Sequence, residues 1–224
     1  SQGGGNFIEL VALPYVVKCL TVIYGRPQDF DEWMSWGADV WIATETGRSG
    51  ELLHSYLDRV FNESTSDLND AWSYLRALRI DEQPLSHKEF VGAGSVMLAG
   101  GRDTVVKLIT FATWHLLTHP EDAQVIASGE VSISAAITEF LRFLTPLPGM
   151  LRLAPHAKGT SDEQRTPDDF VYVSFVSANH DDTVFEHADK VNIRRQKVAH
   201  VAFGFGPHTC IGNHVAEIET RTLI

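Results

Sequence analysis

The sequence predicts a mainly α-helical protein with a small β component. Three observations carry this. Apolar residues recur at three-to-four spacing through most of the chain, the mark of helices with one buried face. The segment FVYVSFV (170–176) is the best strand in it. Hydrophobic residues make up 44% of 224 positions, enough for one sizeable core without requiring two domains.

Ser1–Asn6, SQGGGN, reads as a flexible leader or a scar of cloning or truncation, and the folded part is expected over residues 7–224. The first helix is expected from Phe7 to about Tyr24. Glu9, Pro14 and Lys18 interrupt its apolar run, which suits a core helix and not a membrane span. A second helix follows Pro27 and Asp29 and carries Trp33, Trp36 and Trp41. A third covers Gly50–Phe61, with Leu52, Leu53, Tyr56 and Leu57, and a fourth Asp67–Arg76. The longest helix is expected from Ser86 to Leu117, ending near Pro120. Ser86 and Glu89 form a capping box at its start. Residues 133–144 form another. PHAKGTSDEQRTPDD (155–169) is a polar loop, and DDTVFEHADKVNIRRQK (181–197) is a surface coil. IGNHVAEIETRTLI (211–224) closes the chain as a helix. No internal repeat or long low-complexity tract interrupts this order.

The net charge of −11 excludes some partners. Phosphate neutralisation needs a surplus of Lys and Arg, so no nucleic acid is expected. Anionic lipid is disfavoured for the same reason, and no membrane association is expected. Two cysteines, Cys19 and Cys210, do not make a disulfide framework. The opening residues do not read as a secretory signal. A reduced, cytoplasmic setting is expected.

HVAFGFGPHTCIG (200–212) places one of these cysteines among glycines, aromatic rings and histidines, just before a helix. A thiolate that binds a metal must be held deprotonated, and a helix start favours negative charge. Gly204, Gly206 and Gly212 permit unusual backbone angles and close approach of a flat ligand. Phe203 and Phe205 are placed to shield the sulfur. His200 and His208 are placed to donate to an acidic group. Beside a nucleophilic cysteine with a histidine partner, two further alternatives compete on this stretch alone. One is a zinc site of His200, His208, Cys210 and His214, whose spacing matches no common zinc pattern. The other is a buried structural cysteine. A dinucleotide-binding loop is excluded, because GFGPHT lacks the last glycine of that pattern.

Phe203-Gly-Phe-Gly-Pro-His-Thr-Cys-Ile-Gly212 resembles the cytochrome P450 signature F-G-x-G-x-[HR]-x-C-x-G at every defined position. The resemblance implies a P450 fold, incomplete at both ends, with Cys210 as the axial thiolate ligand of haem b iron. Three further segments agree. LAGGRDTV (98–105) sits inside the longest helix and resembles the distal pattern [AG]-G-x-[DE]-T. Its two glycines and a threonine make a poor helix interior, which marks either a close helix crossing or a place where a ligand approaches. The resemblance makes Asp103 and Thr104 the proton relay to dioxygen. Glu139 and Arg142 match E-x-x-R, with Arg195 the expected third member and Arg194 the alternative. Arg152 falls where an arginine holds a haem propionate, and His200 and His208 where further donors are expected. SANHD (177–181) stands between these parts in the family order.

The resemblance further implies a small apolar substrate, with Val96, Ala99, Gly100, Pro148 and Gly149 lining its pocket. It implies dioxygen as co-substrate and a ferredoxin-type electron donor meeting the cysteine side. The wording is closest to the soluble bacterial, camphor-hydroxylase type. Arg102, Met150, Val191 and Ala188 depart from common family residues, and none removes a named catalytic group. The early helices and the final hairpin of a full member are not read in this chain. A shortened, non-catalytic scaffold is therefore the competing function, and a peroxide-driven enzyme a third.

Overall fold

The computed structural model describes residues 3–37, 50–65, 70–153, 170–196 and 199–224. Trp41, Asp67 and the polar loop 155–169 lie outside these. The chain divides into two compact units, Ser1–Val106 and Lys107–Ile224.

The first unit opens with a π-helical segment, Ile8–Ala12, that runs into helix α1 (Leu13–Ile23). The Leu13 N–H donates to the Ile8 carbonyl, five residues back. Pro14 explains the wide turn: it has no N–H for the Leu10 carbonyl, and its ring would clash there in a normal α turn. A 3-10 turn at Pro27–Asp29 leads into α2 (Phe30–Ser35). Helices α3 (Glu51–Glu63) and α4 (Ala71–Ala77) follow, α4 capped by the Asp70 carboxylate accepting from the Ser73 N–H at 2.7 Å. Trp33, Tyr56, Trp72 and Phe90 are buried together, with ring centroids 5.7 Å apart for Trp33–Tyr56 and 6.2 Å for Trp72–Phe90. The Tyr56 hydroxyl donates to Asp29 at 2.8 Å. A two-residue hairpin, β1 (Arg79–Ile80) and β2 (Gln83–Pro84), turns through Asp81 and Glu82, both at positive φ. That geometry is the tight hairpin turn, here made without glycine.

Helix α5 (His87–Thr118) begins in the first unit and ends in the second. Its capping box forms: the Ser86 N–H donates to the Glu89 carboxylate at 2.8 Å, and the Glu89 N–H returns to the Ser86 hydroxyl at 3.3 Å. Pro120 does not simply follow its end. It opens a further helix, α6 (Pro120–Ala127), as proline does at a first helical position. His115 near the end of α5 meets Asp122 of α6 at 2.8 Å.

The second unit is built on α7 (Ile133–Leu144), capped by the Ser132 hydroxyl. Leu108, Ala112, Ala136, Ile137, Phe140, Leu141 and Ile193 form its core. Strands β3 (Gly149–Leu153) and β4 (Phe170–Ser174) pair antiparallel, Gly149 opposite Ser174 and Leu153 opposite Phe170. The expected strand 170–176 stops two residues early. Ser174 caps a short helix, α8 (Phe175–Asn179), by accepting from the Ser177 N–H, which takes Phe175 and Val176 out of the ladder. Residues 181–196 are turns and coil, and α9 (Asn213–Leu223) closes the chain.

One buried network holds the coil to α7. Both Glu139 carboxylate oxygens accept from Arg142, at 2.9 and 2.8 Å. Arg142, only 1% exposed, also donates to the carbonyls of Asn179, Ala188 and Lys190 at 2.8–2.9 Å. Arg195 is the third member, its Nε 3.0 Å from Glu139, and it donates to the Glu186 carbonyl at 2.7 Å. Arg194 instead pairs with Glu130 at 3.1 Å. Backbone carbonyls of an irregular coil, which lack ladder partners, are thereby satisfied by two guanidinium groups.

Glu139→Gln removes the charge that compensates a fully buried arginine. It is expected to lower stability by about 3–5 kcal/mol, measured by urea unfolding of the chain. A loss below about 1 kcal/mol would mean that the coil is held by other contacts.

Candidate functional site

The cysteine loop is shaped by its backbone. The Gly204 N–H donates to the Val201 carbonyl at 2.9 Å, and the Cys210 N–H to the Phe203 carbonyl at 2.8 Å. Gly204 and Gly206 stand at φ +71° and +72°, which side-chain-bearing residues rarely adopt. Residues Gly206–His208 form a 3-10 turn, closed by the Thr209 hydroxyl donating to the Gly206 carbonyl at 2.8 Å. Cys210 emerges exposed from this loop, three residues before α9. Phe203 and Phe205 part company. Phe203 packs against the second-unit core, while Phe205 is 88% exposed. Ile211, beside the cysteine, is 99% exposed.

The loop is anchored by Asn179, which the motif reading did not single out. Its Oδ1 accepts from the Val201 N–H at 2.8 Å, and its Nδ2 donates to the Thr145 hydroxyl at 2.9 Å. That hydroxyl in turn donates to the Arg142 carbonyl at 2.8 Å. Thr145 stands at φ +41°, a strained angle that these bonds hold in place. The signal available in the sequence was an asparagine inside SANHD, between two elements that needed joining.

The nitrogen donors expected at the site take different settings. His200 is half-buried, and its Nδ1 accepts from the Ala202 N–H at 3.2 Å. The neutral ring therefore carries its proton on Nε2, a donor. Burial lowers its proton affinity, the Arg142 charge adds to this, and Glu139 opposes. Arg152, on β3, donates to the Leu151 carbonyl at 3.1 Å and approaches the Met150 sulfur at 3.6 Å. No carboxylate pairs with it among the described residues. His208 is exposed in the 3-10 turn. Pro148 is exposed, and Gly149 is half-buried, with Val173 and Tyr172 too close to admit a side chain.

The second set of candidate residues lies on α5 in the first unit. Its two adjacent glycines do different work. A side chain at Gly101 would meet Leu20 of α1 at 2.9 Å, so Gly101 permits a helix crossing. A side chain at Gly100 would meet nothing within 4 Å. Val96, one turn earlier, is 71% exposed, and Ala99 is half-buried. Thr104 donates its hydroxyl to the Gly100 carbonyl at 2.9 Å, and Asp103 stands beside it, half-exposed. Val96, Gly100, Asp103 and Thr104 thus share one open stripe of the helix.

These features test what the cysteine loop suits. A soft thiol is open, two large apolar side chains beside it lack protein cover, and two left-handed glycines turn the backbone without adding side chains. Arg152 and His200 offer N–H donors to an anion. A planar apolar group with a soft-liganded metal and carboxylate arms fits this set. The four zinc candidates do not converge: among the described residues no cluster of three His, Cys, Asp or Glu is placed to hold a metal ion.

Comparison with known proteins places this helical fold and its open, glycine-framed thiol. Residues 133–224 match the family described as Cytochrome P450. The chain is 30% identical over 231 residues to a vitamin D(3) 25-hydroxylase of Pseudonocardia autotrophica, covering 100% of this chain and 57% of that protein. It is 31% identical over 223 residues to a mycinamicin VIII C21 methyl hydroxylase of Micromonospora griseorubida, covering 98% and 58%. The solved structure of a carbohydrate-active P450 superimposes with a TM-score of 0.86 at 26% identity, over 96% of this chain and 57% of that one. The chain belongs to the cytochrome P450 family. It spans less than three fifths of the length of these relatives.

His200 yields a pH prediction. Its folded-state value lies below 6.5, so the unfolded chain takes up the proton first as pH falls. Its contribution to stability is present above about pH 6.5 and declines as pH falls below it. His200→Asn, which keeps an acceptor for the Ala202 N–H, is expected to flatten that part of the stability–pH curve. An unchanged slope in chemical denaturation across pH 5–7 would contradict the assignment.

Proposed function

We propose that the chain is a haem-thiolate monooxygenase, or a large part of one, with Cys210 as the iron ligand. The observation that carries this is the loop 203–212. Its backbone bonds and left-handed glycines present an open thiol flanked by bare apolar side chains. Haem b bound there would supply one-electron and dioxygen chemistry. The chain's residues supply the rest. Cys210 ligates the iron. Arg152, the His200 Nε2–H and His208 donate to the propionate carboxylates, as charge-assisted hydrogen bonds where the donor is cationic. Phe203, Gly204 and Gly206 shape the loop and allow close approach of the ring.

On α5, Asp103 and Thr104 would be the acid and alcohol of a proton relay on the open stripe of the helix, where Gly100 leaves space beside them. Val96, Ala99, Gly100, Pro148 and Gly149 line the pocket of a small apolar substrate. The two relatives are named for different substrates, so hydroxylation, which their names share, is what supports the reading. Electrons come from a ferredoxin-type donor at the cysteine side. No described helix is long and apolar enough to cross a membrane, and a cytoplasmic setting accords with the reduced thiols.

Two experiments test this. Reduced, haem-loaded protein under carbon monoxide is expected to show the thiolate-type Soret shift. Cys210→Ser should abolish it and Cys19→Ser should not; the reverse would refute the ligand assignment. Thr104→Ala should keep haem binding and uncouple electron use from product, while Asp103→Asn slows oxygen activation by about a hundredfold. Retained haem with wild-type coupling in both variants would remove these residues from the relay.

A further inference from the structure

Tyr24, Trp33, Trp36, Tyr56 and Trp72 of the first unit are linked ring to ring. Tyr24 lies 6.3 Å from Trp33 and 5.7 Å from Trp72, centroid to centroid. Both indoles lie against Tyr56, at 5.7 and 6.3 Å, and Trp36 is 5.1 Å from Tyr56. Apolar burial alone does not explain the choice of rings. Trp72 buries its indole nitrogen without a hydrogen-bond partner among the described residues, a cost that phenylalanine would not carry. The two phenols are placed at opposite ends of the set. The Tyr24 hydroxyl donates to the Met97 carbonyl of α5 at 3.0 Å, and a side chain at Gly101 would meet it at 3.6 Å. Met97 and Gly101 are the chain neighbours of Val96 and Gly100 on the open stripe. The Tyr56 hydroxyl, 1% exposed as a residue, donates to the Asp29 carboxylate at 2.8 Å.

We propose that these rings are an electron-transfer array that carries an electron from Tyr56 to a one-electron oxidant at the open stripe of α5, with Asp29 taking the phenol proton. The oxidant is one formed at haem, so the proposal rests on the haem-thiolate reading. Indole and phenol rings are among the most readily oxidised side chains. Tunnelling between them falls off exponentially with separation, so rings in contact exchange electrons fast. The electron passes from Tyr56 through Trp33 or Trp72 and the Tyr24 ring. One electron reduces the oxidant, the Tyr56 O–H bond breaks, and an O–H bond forms on Asp29. Tyr56 is left as a neutral phenoxyl radical. A phenol that has lost an electron is a strong acid, and the carboxylate within hydrogen-bond reach receives its proton. Until then the phenol stays protonated: burial raises its proton affinity, Asp29 adds to this, and Trp33 and Arg26 oppose. The Tyr56 ring is one side chain from water, since the Arg59 guanidinium over it at 5.0 Å belongs to a side chain 45% exposed. A thiol in solution returns the electron, losing its own proton to water, and Asp29 returns the phenol proton. Two such cycles convert two thiols to a disulfide. The array thereby discharges oxidant that meets no substrate.

The first test needs no haem. A ruthenium polypyridyl photo-oxidant is attached through Val96→Cys, in a chain that also carries Cys19→Ser and Cys210→Ser. Flash oxidation is expected to give the electron paramagnetic resonance signal of a neutral tyrosyl radical, formed more slowly in D2O. Tyr56→Phe should replace it with a shorter-lived indole signal and remove the isotope effect. Asp29→Asn, at a half-buried position that water can reach, should lower the tyrosyl yield severalfold. Trp33→Phe combined with Trp72→Phe, which keeps rings in the core, should slow its appearance severalfold. A tyrosyl signal that persists in Tyr56→Phe, or a yield unchanged in Asp29→Asn, would overturn the proposal. The second test uses haem-loaded protein with both native cysteines, supplied with electrons and dioxygen but no substrate. Tyr56→Phe should shorten haem survival severalfold while haem uptake and the Soret shift under carbon monoxide stay as in wild type. Equal survival beside a normal Soret shift would overturn the array as an outlet for oxidant and leave the haem-thiolate reading standing. A wild-type protein without the Soret shift would overturn that reading instead, and with it the source of oxidant assigned here.

Discussion

The second unit depends on one buried carboxylate. Glu139 sits between two arginines on different parts of the chain, Arg142 on its own helix and Arg195 in the coil beyond. Burying three charges is unfavourable unless each is paired and its remaining donors are satisfied. Here the surplus N–H groups go to carbonyls of Asn179, Glu186, Ala188 and Lys190, and the Asn192 N–H returns to Glu139 at 2.9 Å. Residues 181–196 contain no strand or helix of their own. Their conformation is set by this set of side chains, with Phe185 beneath the Arg142 guanidinium at 5.2 Å.

The cysteine loop inherits that order. Arg142 fixes the end of α8 through the Asn179 carbonyl, and the Asn179 side chain reaches forward to Val201 and back to Thr145. The chain from carboxylate to loop is thus Glu139, Arg142, Asn179, Val201, each step a hydrogen bond of 2.9 Å or less. Phe203 packs into the core at the same point, and its carbonyl holds the Cys210 N–H. If Cys210 is the ligand proposed above, its sulfur has to be placed before a metal arrives for the site to select one geometry, and hydrogen bonds behind the loop such as these would do that placing.

The sequence disclosed this structure unevenly, for physical reasons. Helical periodicity located α1, α3, α5, α7 and α9, because each buries an apolar stripe. It missed α6, where Pro120 was taken as an ending although proline suits a first helical turn equally well. It missed the β1–β2 hairpin, whose Asp81-Glu82 turn lacks the glycine that advertises such turns. β3 was hidden because its partner is remote in sequence and the pairing is non-local. At the candidate site, motif spacing pointed to Cys210, Glu139 and Arg142. Asn179 was not legible as an anchor, since its role comes from three partners far apart in the chain. The two glycines at 100 and 101 read as one feature and turned out to be two, a crossing and an opening.

Native-state hydrogen exchange at the Val201 and Cys210 amides tests the dependence of the loop on the buried frame most directly. Both amides donate to acceptors ordered by that frame, Asn179 Oδ1 and the Phe203 carbonyl. The account predicts that Glu139→Gln accelerates exchange at both, together with the amide of Asn192, while the capped start of α5 in the first unit keeps its protection. Val201 and Cys210 amides that exchange at the wild-type rate in a variant whose Asn192 amide has opened would contradict it.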